Sequence, residues 1–237
     1  MRLEKSLSEI KKFLKDRYKD NLAAILIFGS ANTGPFIEGV SDIDAMVFLK
    51  RQKSFNIKDE PDFLYNSLKN YNFATQYFHT LEGIKEYLEK RNSWSTYITI
   101  VSDESSRVLY SSPEFEETRN WLKKHPPSKK GLKEYIKRKD NVELRGYFRD
   151  AKDFILTKAL LSHLRRKLQI INYYETERII FDYEKCLEGV SLEEDKKRKL
   201  KKLYSIYKKR KSLSEKEIKG YYKLASEFTN KIVKRVK

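Results

Sequence analysis

The apolar positions of this chain change period twice within its first fifty residues. Leu3, Leu7, Ile10, Leu14 and Tyr18 recur every three or four residues, the stripe of a helix that packs one face on a sheet. Ala23 to Phe28 is instead a continuous apolar run of strand length, and it breaks at Gly29-Ser30. From Ser41 to Leu49 the strand period of two sets Asp42 and Asp44 on one face, with Ile43 on the other. Phe73 to Thr80 reads as a further strand, Leu81 to Leu88 as the helix after it, and Arg107 to Tyr110 as a closing strand.

Beyond His125-Pro126-Pro127-Ser128-Lys129-Lys130-Gly131 the pattern is helical almost throughout, the prolines disfavouring helix continuation across this segment. Leu144, Tyr147, Phe148, Ala151, Phe154, Ile155, Leu161, Leu164, Leu168 and Ile171 keep one broad apolar face. Leu200, Leu203, Tyr204 and Tyr207 form a shorter stripe, Leu224, Phe228 and Ile232 a last one, and Gly189 and Gly220 are read as helix ends. The expected organisation is therefore two domains, residues 1–125 and residues 126–237, the second an all-α helical bundle.

Charge supports that division. The net charge is +17 over 237 residues. Residues 1–125 carry 19 Lys and Arg against 18 Asp and Glu, whereas residues 126–237 carry 32 against 16. The excess in the second half is read as a surface for a polyanion, centred on the Lys196–Lys199 and Lys208–Lys211 runs, so nucleic acid is an expected partner. The tyrosines among these lysines are read as core. A lone Cys186 excludes a disulfide framework, and with no membrane-length apolar run or signal peptide a cytoplasmic location without membrane contact is expected. Abundant Lys, Glu, Ile and Tyr with only three Gln resembles hyperthermophile usage.

The chemistry is concentrated between Gly29 and Asp44. Two carboxylates sharing one face repel unless a cation lies between them, and hard oxygen ligands of this kind suit Mg²⁺ or Mn²⁺ together with substrate phosphates. A glycine at the preceding turn lets a phosphate approach the backbone, and Ser30 would add a hydroxyl. Gly34, Pro35 and Gly39 keep the connection from Ser30 to Asp42 compact.

At these residues the chain resembles the DNA polymerase β-like nucleotidyltransferase superfamily. Its signature is an apolar residue, Gly, then Gly or Ser, a spacer of about nine to thirteen residues, and Asp-apolar-Asp/Glu-apolar, which Phe28-Gly29-Ser30 and Asp42-Ile43-Asp44-Ala45 fit. Ser41 extends the match, and the likeness runs from about residue 20 to residue 112. It implies an α+β N-terminal domain, a mixed sheet with flanking helices, that transfers an NMP from an NTP to an acceptor hydroxyl and releases pyrophosphate. Asp42 and Asp44 would be catalytic metal ligands, and Gly29, Ser30 and Ser41 would bind the nucleotide phosphates.

Two positions depart from the family. Ala31 and Thr33 stand where many small members carry arginine. Active members usually add a third acid on a later strand, and here Thr75, or Gln76 if the register is one off, stands at the expected place. Asp103, Glu104 and His79 are the other candidates for that role, and the rival reading is a silent nucleotide- or RNA-binding module. The domain order is similar to that of kanamycin and other aminoglycoside nucleotidyltransferases, with the acceptor left open among small molecule, protein and RNA. It is also similar to proteins that add a HEPN-like RNase bundle, but His163, the one histidine in the bundle, lacks the required arginine before it, and Arg165-Arg166-Lys167 reads as a basic face.

Overall fold

The computed structural model describes residues 3–33, 42–52, 57–142, 153–180, 182–209 and 211–235. The expectations placed on Gly34, Pro35, Gly39, Ser41, Leu144, Tyr147, Phe148 and Ala151 lie outside the described residues. The chain divides into two compact units, one of residues 1–91 with 95–126, the other of residues 92–94 with 127–237.

The first unit is built on a mixed four-stranded sheet. Its strands are β1 (Leu22–Phe28), β2 (Ile43–Leu49), β3 (Phe73–Thr80) and β4 (Ser106–Ser111), in the order β3-β2-β1-β4. β1 pairs antiparallel with both β2 and β4, while β2 and β3 run parallel. A parallel pair needs a long crossover, and the segment containing α3 (Glu60–Ser67) supplies it. The other helices of this unit are α1 (Leu3–Tyr18), the single turn α2 (Ser30–Thr33), α4 (Leu81–Arg91), α5 (Trp94–Val101), all but its first residue, and α6 (Pro113–Lys124).

Helices cover both faces of the sheet, which is why β1 reads as an unbroken apolar run. On one face Ile25, Ile27, Ile43, Ala45, Val47 and Leu49 form a single buried cluster with Leu7, Ile10 and Leu14 of α1 and Leu64 of α3. On the other, Phe48 lies against Phe115 of α6, ring centroids 5.2 Å apart. The two helices of the first face are tied together by buried Glu60, which accepts from Arg17 Nε at 3.1 Å, from Arg17 Nη2 at 2.7 Å and from the Tyr18 hydroxyl. Burial and the Glu60 contact push the Tyr18 hydroxyl well above its ordinary pKa.

The second unit is helical: α7 (Lys129–Val142), α8 (Asp153–Thr176), α9 (Tyr183–Gly189), α10 (Glu194–Lys208) and α11 (Glu215–Arg235). α8 is its centre, touching each of the other four. Leu160, Leu164, Leu168 and Ile171 are buried along it, and α11 answers with Tyr221, Leu224, Ala225, Phe228 and Ile232. Polar side chains tie the same interfaces. Fully buried Lys167 donates to the Ala225 carbonyl at 2.7 Å and to Thr229 Oγ1 at 2.6 Å. Asn172 donates to the Cys186 carbonyl at 2.8 Å. Lys167 thus leaves the basic face expected of Arg165-Arg166-Lys167: its stem is buried and its ammonium is spent on the neighbouring helix. The tyrosines divide as packing requires, Tyr204 lying on Tyr183 and Tyr207 on Phe154. Gly189 ends α9, but Gly220 lies inside α11 and does not end it, because the apolar stripe on both sides of it carries the helix through. Among the described residues no helix is long and apolar enough to cross a membrane.

The start of α11 is a capping box. Glu217 Oε2 accepts from the Ser214 backbone N–H at 3.0 Å and from its hydroxyl at 2.9 Å, and Lys202 approaches the same carboxylate at 2.8 Å. These donors favour the charged form and hold its pKa at about 2, against an ordinary 4.5. A depressed folded pKa means that the contribution is present above pH 4.5 and is lost as the pH falls towards 2. Glu217→Gln is expected to cost about 1 kcal/mol near neutral pH and to flatten that part of the acid limb. Denaturant melts of both proteins across this pH range check it.

Candidate functional site

β1 ends at Phe28, whose partners are Asp44 on one side and Ser106 on the other. That register brings the last residue of β1, the first residues of β2 and β3 and the turn before β4 to one end of the sheet. Gly29 follows with φ of +67°, in the left-handed region, and α2 begins at once, the Asn32 N–H donating back to the Gly29 carbonyl at 3.2 Å. A Cβ at Gly29 would lie 2.5 Å from Asp44 Oδ2. Backbone conformation and space therefore both demand glycine here, and the absent side chain leaves the Asp44 carboxylate in contact with the turn.

Asp42 stands just before β2 and is exposed, whereas Asp44 is the second residue of the strand and half-buried. The backbone of Ser30 opens α2 directly beyond Gly29. Ala31, at one of the absent arginine positions, is buried in the core cluster beneath the turn. Of the candidate residues, Gly29 and Asp44 are in contact and Ser30 and Asp42 adjoin them in the chain.

The register also sorts the candidates for a third acid. Beside Asp44 in the parallel pair stands Ala74; Thr75 is opposite Ala45, and Gln76 falls in the register shift before Tyr77. His79 lies opposite Phe48, four residues along β2 from Asp44 and so about 13 Å away. It is packed against Tyr77 and Tyr87, and burial lowers its pKa. Asp103 is at the right end of the sheet but accepts from Arg119 Nη2 at 2.6 Å, a contact that holds its pKa below the ordinary carboxylate value. Arg119 is itself buried and also donates to the Ile100 carbonyl at 2.8 Å, so Asp103 serves to neutralise it. Glu104 is different: its side chain is exposed and makes no ion pair with a described residue. The Glu104 carbonyl lies 3.5 Å from Asn32 Nδ2, which places Glu104 beside α2. The sequence signal that could have separated these two neighbours is weak, since Arg119 is sixteen residues away from Asp103.

No three His, Cys, Asp or Glu side chains converge as a metal cluster among the described residues. What the site offers a cation is the hard carboxylate of Asp44 against the glycine turn, with exposed Asp42 two residues before it in the chain. That donor set fits Mg²⁺, which commonly takes one or two protein carboxylates and completes its shell with substrate phosphates and water.

Comparisons with known proteins place the fold and the family. A family model described as "Nucleotidyltransferase domain" matches residues 7–234. Among solved structures the chain is similar to the crystal structure of spectinomycin adenyltransferase AAD(9) from Enterococcus faecialis with ATP and spectinomycin. The TM-score is 0.57 at 13% identity, over 97% of this chain and 98% of that one. At that identity the likeness is one of fold, and it extends over the sheet and the helices together. No curated protein sequence is similar enough to count as a match. With the family model spanning nearly its whole length, the chain belongs to the nucleotidyltransferase domain family.

Proposed function

We propose that this protein transfers a nucleoside monophosphate from an NTP to an acceptor hydroxyl, with Asp42 and Asp44 holding Mg²⁺ or Mn²⁺. The observation that carries the reading is the closure of Gly29 on Asp44: a left-handed glycine with no room for a Cβ, set against a carboxylate at the open end of a sheet. When bound, the cation would neutralise the donor's phosphates and the charge that develops on the leaving pyrophosphate. Gly29 admits a phosphate close to the backbone, and Ser30 and Ser41 are the hydroxyls assigned to it. The acceptor oxygen forms a bond to the α phosphorus as the bond from that phosphorus to the bridging oxygen of pyrophosphate breaks. Glu104 is assigned to take the acceptor's proton, since Asp103 is engaged by Arg119 and His79 is too far along the sheet. The ATP and spectinomycin of the similar structure support an NTP donor and a small-molecule acceptor. The cytoplasm is the compartment that this chemistry and the lone Cys186 suit.

A second reading has its own observation. Ala74 beside Asp44 leaves β3 without an acid at that place, as in a module that binds nucleotide and does not transfer it.

Calorimetry with Mg²⁺ and an NTP is the direct test of the site. Metal-dependent binding is expected for the wild type and its loss for Asp42→Asn/Asp44→Asn, while unchanged binding overturns the assignment. Transfer of label from α-labelled NTP to acceptors in a cell extract then separates the two readings. Glu104→Gln is expected to lower kcat by about 10²- to 10⁴-fold with nucleotide affinity unchanged, and Glu104→Asp to recover part of it. A wild type that binds NTP through Asp42 and Asp44 yet transfers nothing leaves the silent module standing.

A further inference from the structure

The conspicuous basic runs of the sequence are largely spent within the second unit. On α10, Lys196 pairs with Glu193 and Glu227, both at 3.2 Å, and Lys197 with Glu194 at 3.2 Å. Arg198 and Lys199 share Asp195 at 2.9 and 2.7 Å, and Lys202 and Lys208 reach Glu217 and Glu184. Acids of the first turn of α10 and of the neighbouring helices thus cancel most of this face, leaving Lys201 on the helix and Lys209 and Lys211 just beyond it exposed without a described acid. A phosphate chain gains little from lysines that already hold carboxylates.

The opposite holds on α11. Lys216, Lys219, Lys223 and Lys234 are all exposed, and none pairs with a described acid. Their spacing of three, four and eleven residues returns each to the same side of the helix, and Lys216 and Lys234 lie five full turns apart, about 27 Å along the axis. This side is opposite the buried one formed by Tyr221, Leu224, Ala225, Phe228 and Ile232. Exposed Ser226 and Asn230 fill the gap between Lys223 and Lys234 with neutral hydrogen-bonding groups. Of the three acids of this helix, Glu217 and Glu227 are taken by Lys202 and Lys196, and exposed Glu215, at its first position, is the one that no described lysine or arginine takes up.

Gly220 adds an independent observation. It sits inside α11 at the edge of the lysine row, where a glycine costs about 1 kcal/mol relative to alanine. No packing reason requires it, since a Cβ there would meet nothing within 4 Å. The helix forgoes stability at the point where an open backbone lets a ligand approach closely.

We propose that the Lys216, Lys219, Lys223, Ser226, Asn230 and Lys234 face of α11 binds the sugar-phosphate backbone of a nucleic acid. Sequence is not read there, because lysine contacts phosphate as a point charge. A lipid surface is disfavoured: the row carries no aromatic or aliphatic side chain to enter a bilayer. This surface is independent of the transfer reaction and of the Asp42 and Asp44 assignment.

Fluorescence anisotropy of the full-length protein with labelled RNA and DNA strands of about 20 nucleotides tests it. Four phosphate contacts predict that affinity falls about fifty-fold between about 50 and about 200 mM salt. Lys216→Ala/Lys219→Ala/Lys223→Ala is expected to weaken binding at least about tenfold at the lower salt and to flatten the salt slope by about 2. Lys197→Ala/Arg198→Ala/Lys199→Ala removes the same charge from paired positions and is expected to change affinity less than about threefold. Equal affinity for RNA and DNA supports contact through the backbone alone, and tighter RNA binding adds the 2′-hydroxyls to it. Equal losses in the two triple variants, no binding to either strand at about 50 mM salt, or binding only to anionic vesicles each overturn the proposal.

Discussion

Six paired positions hold β1 against β2, and the last of them, Phe28 opposite Asp44, decides what stands next to Gly29. A slip of one residue in this pair would turn the apolar side chains of β2 from one buried face to the other and would carry the carboxylate away from the turn. The register is fixed by packing: Ile43, Ala45, Val47 and Leu49 must meet the same helices as Ile25 and Ile27. Burial of the sheet and assembly of the candidate site are thus one constraint.

The same constraint separates the acids of the first unit. Asp44 is held in a strand whose two faces are covered, so its position is as firm as the core around it. Glu60 lies deep in the first unit and is spent on Arg17 and Tyr18, and Asp103 is spent on Arg119, which is buried and requires a counter-charge. Glu104 differs from Asp103 by one place in the chain, yet its side chain is left to solvent beside α2. Local chemistry treats the two as equivalent. Only the course of α6, which delivers Arg119 to one of them, distinguishes them.

In the helical unit, charge is arranged in the same way, by what neighbouring helices bring. The acids that cancel the lysines of α10 come partly from its own first turn and partly from α9 and α11. Lys167 is the extreme case, a lysine whose ammonium is buried among backbone and hydroxyl oxygens of α11. A buried cation is tolerable only with such partners, because desolvation would otherwise outweigh any packing gain of its stem.

The sequence by itself determined the class of fold. The change from a three-and-four period to continuous apolar runs and back marked an α+β sheet domain ahead of helices, since periodicity is a local property of the chain. Phe73 to Thr80 was legible as a strand residue for residue, and Gly29, Ser30, Asp42 and Asp44 announced themselves by spacing. Three helices of the first unit, α3, α5 and α6, carried too short or too mixed a pattern to be read. Net charge was legible as a sum but not as a surface, because a lysine's partners can lie on another helix. Likewise Ala74 beside Asp44, the engagement of Asp103 and the interior place of Gly220 in α11 came only with the tertiary structure. Register, burial and ion pairing depend on residues far apart in the chain, and no local period encodes them.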